Sequence, residues 1–140
     1  RLYRTLQTTF SNFLKKHGFK LSAEPKSGNE LDFWFVTFRS EFFDLSIGGR
    51  GGIGVYGRPR YCQEDWYSIP LVFALLDGVN HIVTGNDDLD RLAQAMDERH
   101  AELGHFFSPQ GNDTRLEFAQ WTEKEYWRMW GRDDVPKDAA

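Results

Sequence analysis

The chain has 140 residues, a formal net charge of −4, 40% hydrophobic residues and 16% aromatic ones. That suffices for one domain with a real core and is too apolar for a disordered chain, while no apolar run approaches the ~20 residues a membrane span requires. Cys62 is the single cysteine, which excludes an internal disulfide framework and a multi-cysteine zinc site and points to a reducing, cytoplasmic setting.

In chain order, Leu2, Tyr3, Leu6, Phe10, Phe13 and Leu14 recur at three- and four-residue spacing, the stripe of an amphipathic helix that Gly18 stops. Residues 19–24 read as a first strand, and PKSGNE as the turn that ends it. LDFWFVTFRS alternates Leu31, Phe33 and Phe35 against Asp32, Trp34 and Val36, a strand with both faces largely covered. The short Ser40-Glu41 connection leads into FFDLSIG, where Phe43, Leu45 and Ile47 oppose Asp44 and Ser46 as in a half-buried strand. IGVYGR reads as the next strand, with Ile53 and Val55 on its core side.

Beyond Arg60 the texture changes. YCQEDWY reads as an irregular connection, and Ser68 before Ile69-Pro70 as the cap of a short apolar helix running to Leu76 and ended by Gly78. Residues 87–103 form the next predicted helix, capped by Asn86 or Asp87, with Leu89, Leu92, Ala93, Met96 and Leu103 inward and Gly104 as its stop. SPQGND reads as a loop, and RLEFAQW fits helix and strand equally. Thr122 with Glu125 makes a capping box for a last helix bearing Tyr126, Trp127 and Trp130 before Gly131. Residues 1–131 are thus expected to form a single domain, and 132–140 a polar tail.

Strands gathered in the first half and helices in the second predict an α+β fold: an N-terminal helix, a four-stranded antiparallel meander, and C-terminal helices packed on one face of the sheet. The stretch IGGRGGIGVYGRPR contains a literal G-x-G-x-x-G at Gly49, Gly51 and Gly54. A dinucleotide fingerprint needs a helix after its glycines, and VYGRPR cannot open one, so the glycines are read as a tight or bulged hairpin. Arg50, Arg58 and Arg60 leave an anion site beside it as the alternative.

Charge is distributed unevenly. Residues 1–60 hold ten Lys/Arg against five Asp/Glu, and residues 61–140 hold seven against sixteen. An acidic second half repels nucleic acid and attracts a basic partner, against the simpler reading of acidic helix faces that confer solubility. Catalytic patterns are weak. Asp97 and His100 share a predicted helix face but are too few for a zinc site, and no nucleophile signature surrounds Cys62. Glu64 and Asp65 are adjacent acids that point apart, unlike a glycosidase pair.

Taken together, the helix ending in KKHGFK, the strand LDFWFVTF, FFDLSIGG continuing into IGVYGR, the YSIPLVFALLDG segment and the helix DDLDRLAQAMDERHAELG give a layout over roughly residues 2–130. This layout resembles the small α+β immunity proteins that bacteria pair with contact-dependent or polymorphic toxins. The resemblance implies a non-enzymatic inhibitor, with no cofactor or metal, whose partner is a cognate protein toxin, a basic nuclease among the candidates. Under it Asp87, Asp88, Asp90, Asp97, Glu98 and Glu102 are the electrostatic contacts, and Trp66, Tyr67 and Trp127 the aromatic anchors. The competing expectation is a small-ligand or enzymatic domain with a cleft near residues 50–67. A third is an adaptor that uses the exposed sheet edge.

Overall fold

The computed structural model describes residues 9–23, 34–49, 53–62, 64–82 and 88–131. The leading amphipathic stretch is not one unbroken helix: a turn at Phe10 divides the helical residue Thr9 from helix α1 (Ser11–Lys16), which buries Phe13, as Phe10 is buried, and which Gly18 at φ 73° ends. Positive φ is the conformation in which glycine carries no side-chain penalty. Leu2, Tyr3 and Leu6 of the predicted stripe lie outside the described residues.

Five strands follow in a meander of order β1-β2-β3-β4-β5: Lys20–Ala23, Trp34–Arg39, Phe43–Gly49, Gly54–Pro59 and Tyr67–Ser68, each antiparallel to the next. The α+β architecture is as expected, but the sheet has five strands rather than four. The added one comes from the aromatic stretch read as a connection, where Gly57 pairs with Tyr67 and Tyr56 with Ser68. Two residues are too short a run for alternation to reveal.

Register sorts the side chains onto two faces. Val36, Ile47 and Val55 stand in one row and Phe38, Leu45, Gly57 and Tyr67 in the next, all on the core side. The other face carries Arg39, Asp44 and Arg58 in one row, and Thr37, Ser46 and Tyr56 in another. In β2, Val36 therefore faces the core, and Phe35 lies on the opposite face edge-on to Tyr56; Leu31 and Phe33 lie outside the described residues.

Strand β3 corrects the half-buried expectation: Phe43 to Gly48 are all buried, Asp44 leaving only 2% of its surface exposed. It is the middle strand, and Arg39 and Arg58 close over Asp44 from both sides, at 3.0 and 3.4 Å. The β2–β3 connection is tightened by Ser40, whose Oγ accepts from the amides of Phe42 and Phe43 and donates to the Phe43 carbonyl.

The glycine stretch is a hairpin in its described parts. Gly48 pairs with Gly54 across β3 and β4, as a strand–turn–strand requires, and Gly48 and Gly49 have φ of 158° and 149°. Residues 50–52, at the turn, lie outside the described set. Gly57 answers to packing: a Cβ there would lie 2.6 Å from Cζ of Phe107, so only glycine lets the tip of that ring come this close to the strand.

Helix α2 (Ile69–Leu76) starts where Ser68 and Pro70 predict and ends at Gly78, φ 75°, although the Ser68 side chain makes no capping hydrogen bond. The expected single helix over 87–103 is two, α3 (Leu89–Glu98) and α4 (His100–Phe106), divided at Arg99. Asp88 caps it rather than Asn86 or Asp87, and Gly104 lies inside α4 instead of stopping it. After a 3-10 turn (Pro109–Gly111), α5 (Asn112–Met129) runs unbroken through the residues read as loop, ambiguous segment and cap. Thr122 sits in mid-helix and its hydroxyl donates back to the carbonyls of Phe118 and Ala119.

The core lies between the inner sheet face and these helices: Phe10 and Phe13, Val72 and Phe73, Met96, Leu103, Phe106, Phe107 and Phe118 join Phe43, Leu45 and Ile47. No helix among the described residues is long and apolar enough to cross a membrane.

Candidate functional site

The acids singled out on α3 and α4 meet different fates. Asp88 accepts the amides of Asp90 and Arg91 at 3.0 and 3.4 Å, which caps α3 and leaves its charge at the helix N-terminus. Asp90 is exposed, and Glu98 is exposed with only the Gln94 amide against it at 3.1 Å. No cation among the described residues lies against these three. Asp97 turns toward α1, where Lys16 Nζ at 3.0 Å and His17 Nε2 at 2.8 Å hold its carboxyl below the usual carboxylate range, His17 having the larger effect. Glu102 is paired with Arg99 at 2.8 Å and is likewise held low by it. The same guanidinium forks onto Asp77 and stacks over Phe73, 4.5 Å from the ring centre. Asp87 lies outside the described residues. Of these six acids, Asp88, Asp90 and Glu98 are therefore the ones exposed with no cation among the described residues against them.

Where α1 meets α4, the His17 and His100 rings stack with centroids 3.9 Å apart and planes 13° from parallel. Burial, with His17 adding to it, holds His100 below its ordinary value, and its Nε2 is enclosed without a hydrogen-bond partner. Phe13, Phe42 and Phe43 pack around it, so the ring docks the leading helix as a neutral aromatic.

The three expected anchors are not brought together. Trp66 stacks under the Arg58 guanidinium, 4.3 Å from its centroid. Tyr67 points into the core against Phe106, Phe107 and Phe118. Trp127 belongs to α5, edge-on to Tyr126 at 5.1 Å.

An open groove of about 610 Å³ is lined by Arg58, Glu64, Asp65, Trp66 and Tyr67, within the region of the expected cleft. Its cations already have partners. Arg58 is held by Asp44 and Trp66, and Arg60 donates to the Ser40 carbonyl at 2.7 Å; Arg50 lies outside the described residues. Behind the groove stands a residue that composition and periodicity did not single out. Arg115, 2% exposed, donates to both carboxylate oxygens of Glu64, to the carbonyls of Phe106 (2.5 Å) and Ser108 (2.8 Å), and to the Tyr61 hydroxyl. Glu64 also accepts from Tyr67 Oη at 2.6 Å and Cys62 Sγ at 3.1 Å. Burial pushes Glu64 upward, but these hydrogen bonds together outweigh it and hold the carboxyl below its ordinary value. Burial and Glu64 push the Cys62 thiol up, so it stays protonated and is a weak nucleophile. The arrangement fastens the 61–67 segment to α4 and α5.

A second carboxylate fastens the other end of α5. Glu125, buried, accepts from Arg128 at 3.0 and 3.1 Å and from the Ile82 amide at 2.6 Å, and lies 3.0 Å from His81 Nδ1. These contacts, Arg128 foremost, bring its pKa down from 4.5 to about 2. A depressed carboxylate stabilises the fold in full above the unfolded value and loses that contribution as the pH falls through the folded one. Glu125→Gln is expected to remove on the order of 2 kcal/mol at pH 7 and progressively less toward pH 2. Urea unfolding at both pH values checks this, and equal losses would contradict it.

Among the described residues no three His, Cys, Asp or Glu side chains converge to hold a metal ion. No family model matches the chain, and no significant match was found among the curated proteins or the solved structures.

Proposed function

We propose that this chain is a cytoplasmic immunity protein, a non-enzymatic inhibitor that binds and neutralises a cognate basic bacterial toxin, a nuclease among the candidates. The observation that carries the reading is the set of exposed acids at the cap and along α3. Asp88, Asp90 and Glu98 stand exposed with no cation among the described residues against them, in the acidic half of a chain whose first 60 residues are basic. Arg91 is the exposed base among them, and an excess of acids over bases steers a positively charged protein into encounter and opposes nucleic acid and anionic surfaces. The polar residues that could serve chemistry are meanwhile engaged in the fold: Glu64 by Arg115 and Tyr67, and Arg58 by Asp44 and Trp66.

The test is the association rate with candidate toxin domains taken from the genes that adjoin this chain's own. Asp88→Asn, Asp90→Asn and Glu98→Gln together are expected to slow association about tenfold at low salt while leaving dissociation nearly unchanged. Asn remains a good cap at position 88, so folding is preserved. An unchanged rate at low salt would remove this face from the interaction.

A further inference from the structure

The contact of α1 with α3 and α4 turns on two stacked imidazoles in unlike settings. The Asp97 carboxylate can only accept, so Nε2 of His17, 2.8 Å away, carries a proton, and Lys16 holds the same carboxylate at 3.0 Å. The His17 ring lies nearly parallel to that of His100, with centroids 3.9 Å apart. Phe13 of α1, Phe42 of the β2–β3 connection and Phe43 of β3 are the other rings against His100, and none of them can accept a proton or a hydrogen bond from it. His100 Nε2 is shut off from solvent and has no hydrogen-bond partner among the described residues. A neutral imidazole has one donor nitrogen, whereas a charged one donates at both. A proton gained by His100 therefore leaves a cationic N–H enclosed without an acceptor, the state that burial penalises most. Of the charged groups around the ring, His17 opposes that proton and Asp97 favours it; Lys16 is engaged by Asp97, and Arg99 and Glu102 by each other. Burial and His17 prevail over Asp97, so the ring is held below its ordinary value.

We infer that the His17–His100 stack is an acid-sensitive latch on the leading helix: His100 accepts a proton only when α1 lifts away, so acid loosens α1 from the rest of the fold. Lifting α1 takes His17 and Phe13 off the ring and gives Nε2 to water. The docked state resists the proton and the open state binds it near the ordinary histidine value of about 6.5, so docking is at full strength above that pH and weakens as the pH falls through it. A proton taken up by the open state alone multiplies the opening constant of α1 about tenfold between about pH 7.5 and 5.5. His81, against Glu125, and His105, exposed on α4, lie outside the stack.

The experiment is hydrogen exchange of the Leu14 and His17 amides, which donate to the carbonyls of Phe10 and Phe13, at about pH 7.5 and 5.5 with intrinsic rates divided out. In the wild-type chain these amides are expected to be at least about tenfold less protected than the best-protected amides of α5, because α1 opens by itself. His100→Phe keeps an aromatic ring that takes no proton, while Lys16, His17 and Asp97 are common to both chains. The fall in α1 protection on acidification is expected to be about tenfold larger in the wild-type chain than in His100→Phe. An equal fall in the two chains, or α1 amides as protected as those of α5, would overturn the latch. If the larger phenylalanine ring prevents folding, the nitrogen shifts of His100 in the wild-type chain decide. The ring is expected to be mostly neutral at about pH 6.5, where an ordinary imidazole is half charged, and a half-charged His100 there would overturn the inference.

Discussion

Arg115→Met is expected to destabilise the fold by about 3–5 kcal/mol, the largest loss expected from a single polar substitution among the described residues. The methionine fills much the same volume, so the loss comes from what it leaves behind. Glu64 loses its cation, and the carbonyls of Phe106 and Ser108 and the Tyr61 hydroxyl lose a shared donor. Glu64, 27% exposed, keeps Tyr67 and Cys62 as donors, but a buried carbonyl left without its donor costs more than the net worth of the bond it made. Arg115→Lys keeps the charge, but an ammonium cannot address a carboxylate, two carbonyls and a hydroxyl arranged around a planar fork. It is expected to recover about 1.5–3 kcal/mol, the worth of one charged hydrogen bond. Urea unfolding reads both values. A loss below about 1 kcal/mol for Arg115→Met would mean that the network contributes no more than a surface pair.

The second large effect lies on the inner sheet face. Phe107 is fully buried between Phe43, Tyr67 and Phe106, and its ring rests on the bare backbone of Gly57. Phe107→Ala is expected to cost about 3–5 kcal/mol through lost burial and the cavity that remains. Gly57→Ala is expected to cost about 1–3 kcal/mol by overpacking, because the new methyl group must displace the same ring and meets Ile69 Cδ1 at 3.0 Å. The two substitutions share one space. The double variant is therefore expected to lose less than the sum, by about 0.5–3 kcal/mol, since the shortened side chain makes room for the methyl group. Strict additivity in a double-mutant cycle would show that the ring does not press on Gly57.

These two sites also mark the limit of what the sequence reveals. Period-two alternation placed β3 and β4 and identified the glycines between them as a hairpin, because register and turn chemistry act over a few residues. It could not show that Asp44 would be buried, since the residues that cover it, Arg39 and Arg58, are brought there by pairing with neighbouring strands. The capping box at Thr122 and Glu125 failed in a similar way. Glu125 does accept a backbone amide, but that of Ile82, 43 positions earlier, while α5 continues through Thr122. A local signature was outweighed by a tertiary partner.

Arg115 follows the same logic. RLEFAQW fits helix and strand equally, so its pattern does not place Arg115, and only an unbroken helix from residue 112 aligns it with Phe118 and Glu125 on the buried side. The acids of α3 and α4 were legible as a charge total. Which of them lack a cation was not, because Asp97 is met by Lys16 and His17 from α1, about 80 residues away in the chain.

The claim that this chain neutralises a basic toxin is tested most directly by expressing candidate toxin domains from the genes that adjoin its own and following cell growth with and without this chain. The account predicts growth restored to the toxin-free rate and a one-to-one complex recovered from the rescued cells. Continued killing in the presence of the folded chain, or rescue by a chain that does not bind the toxin, would contradict it.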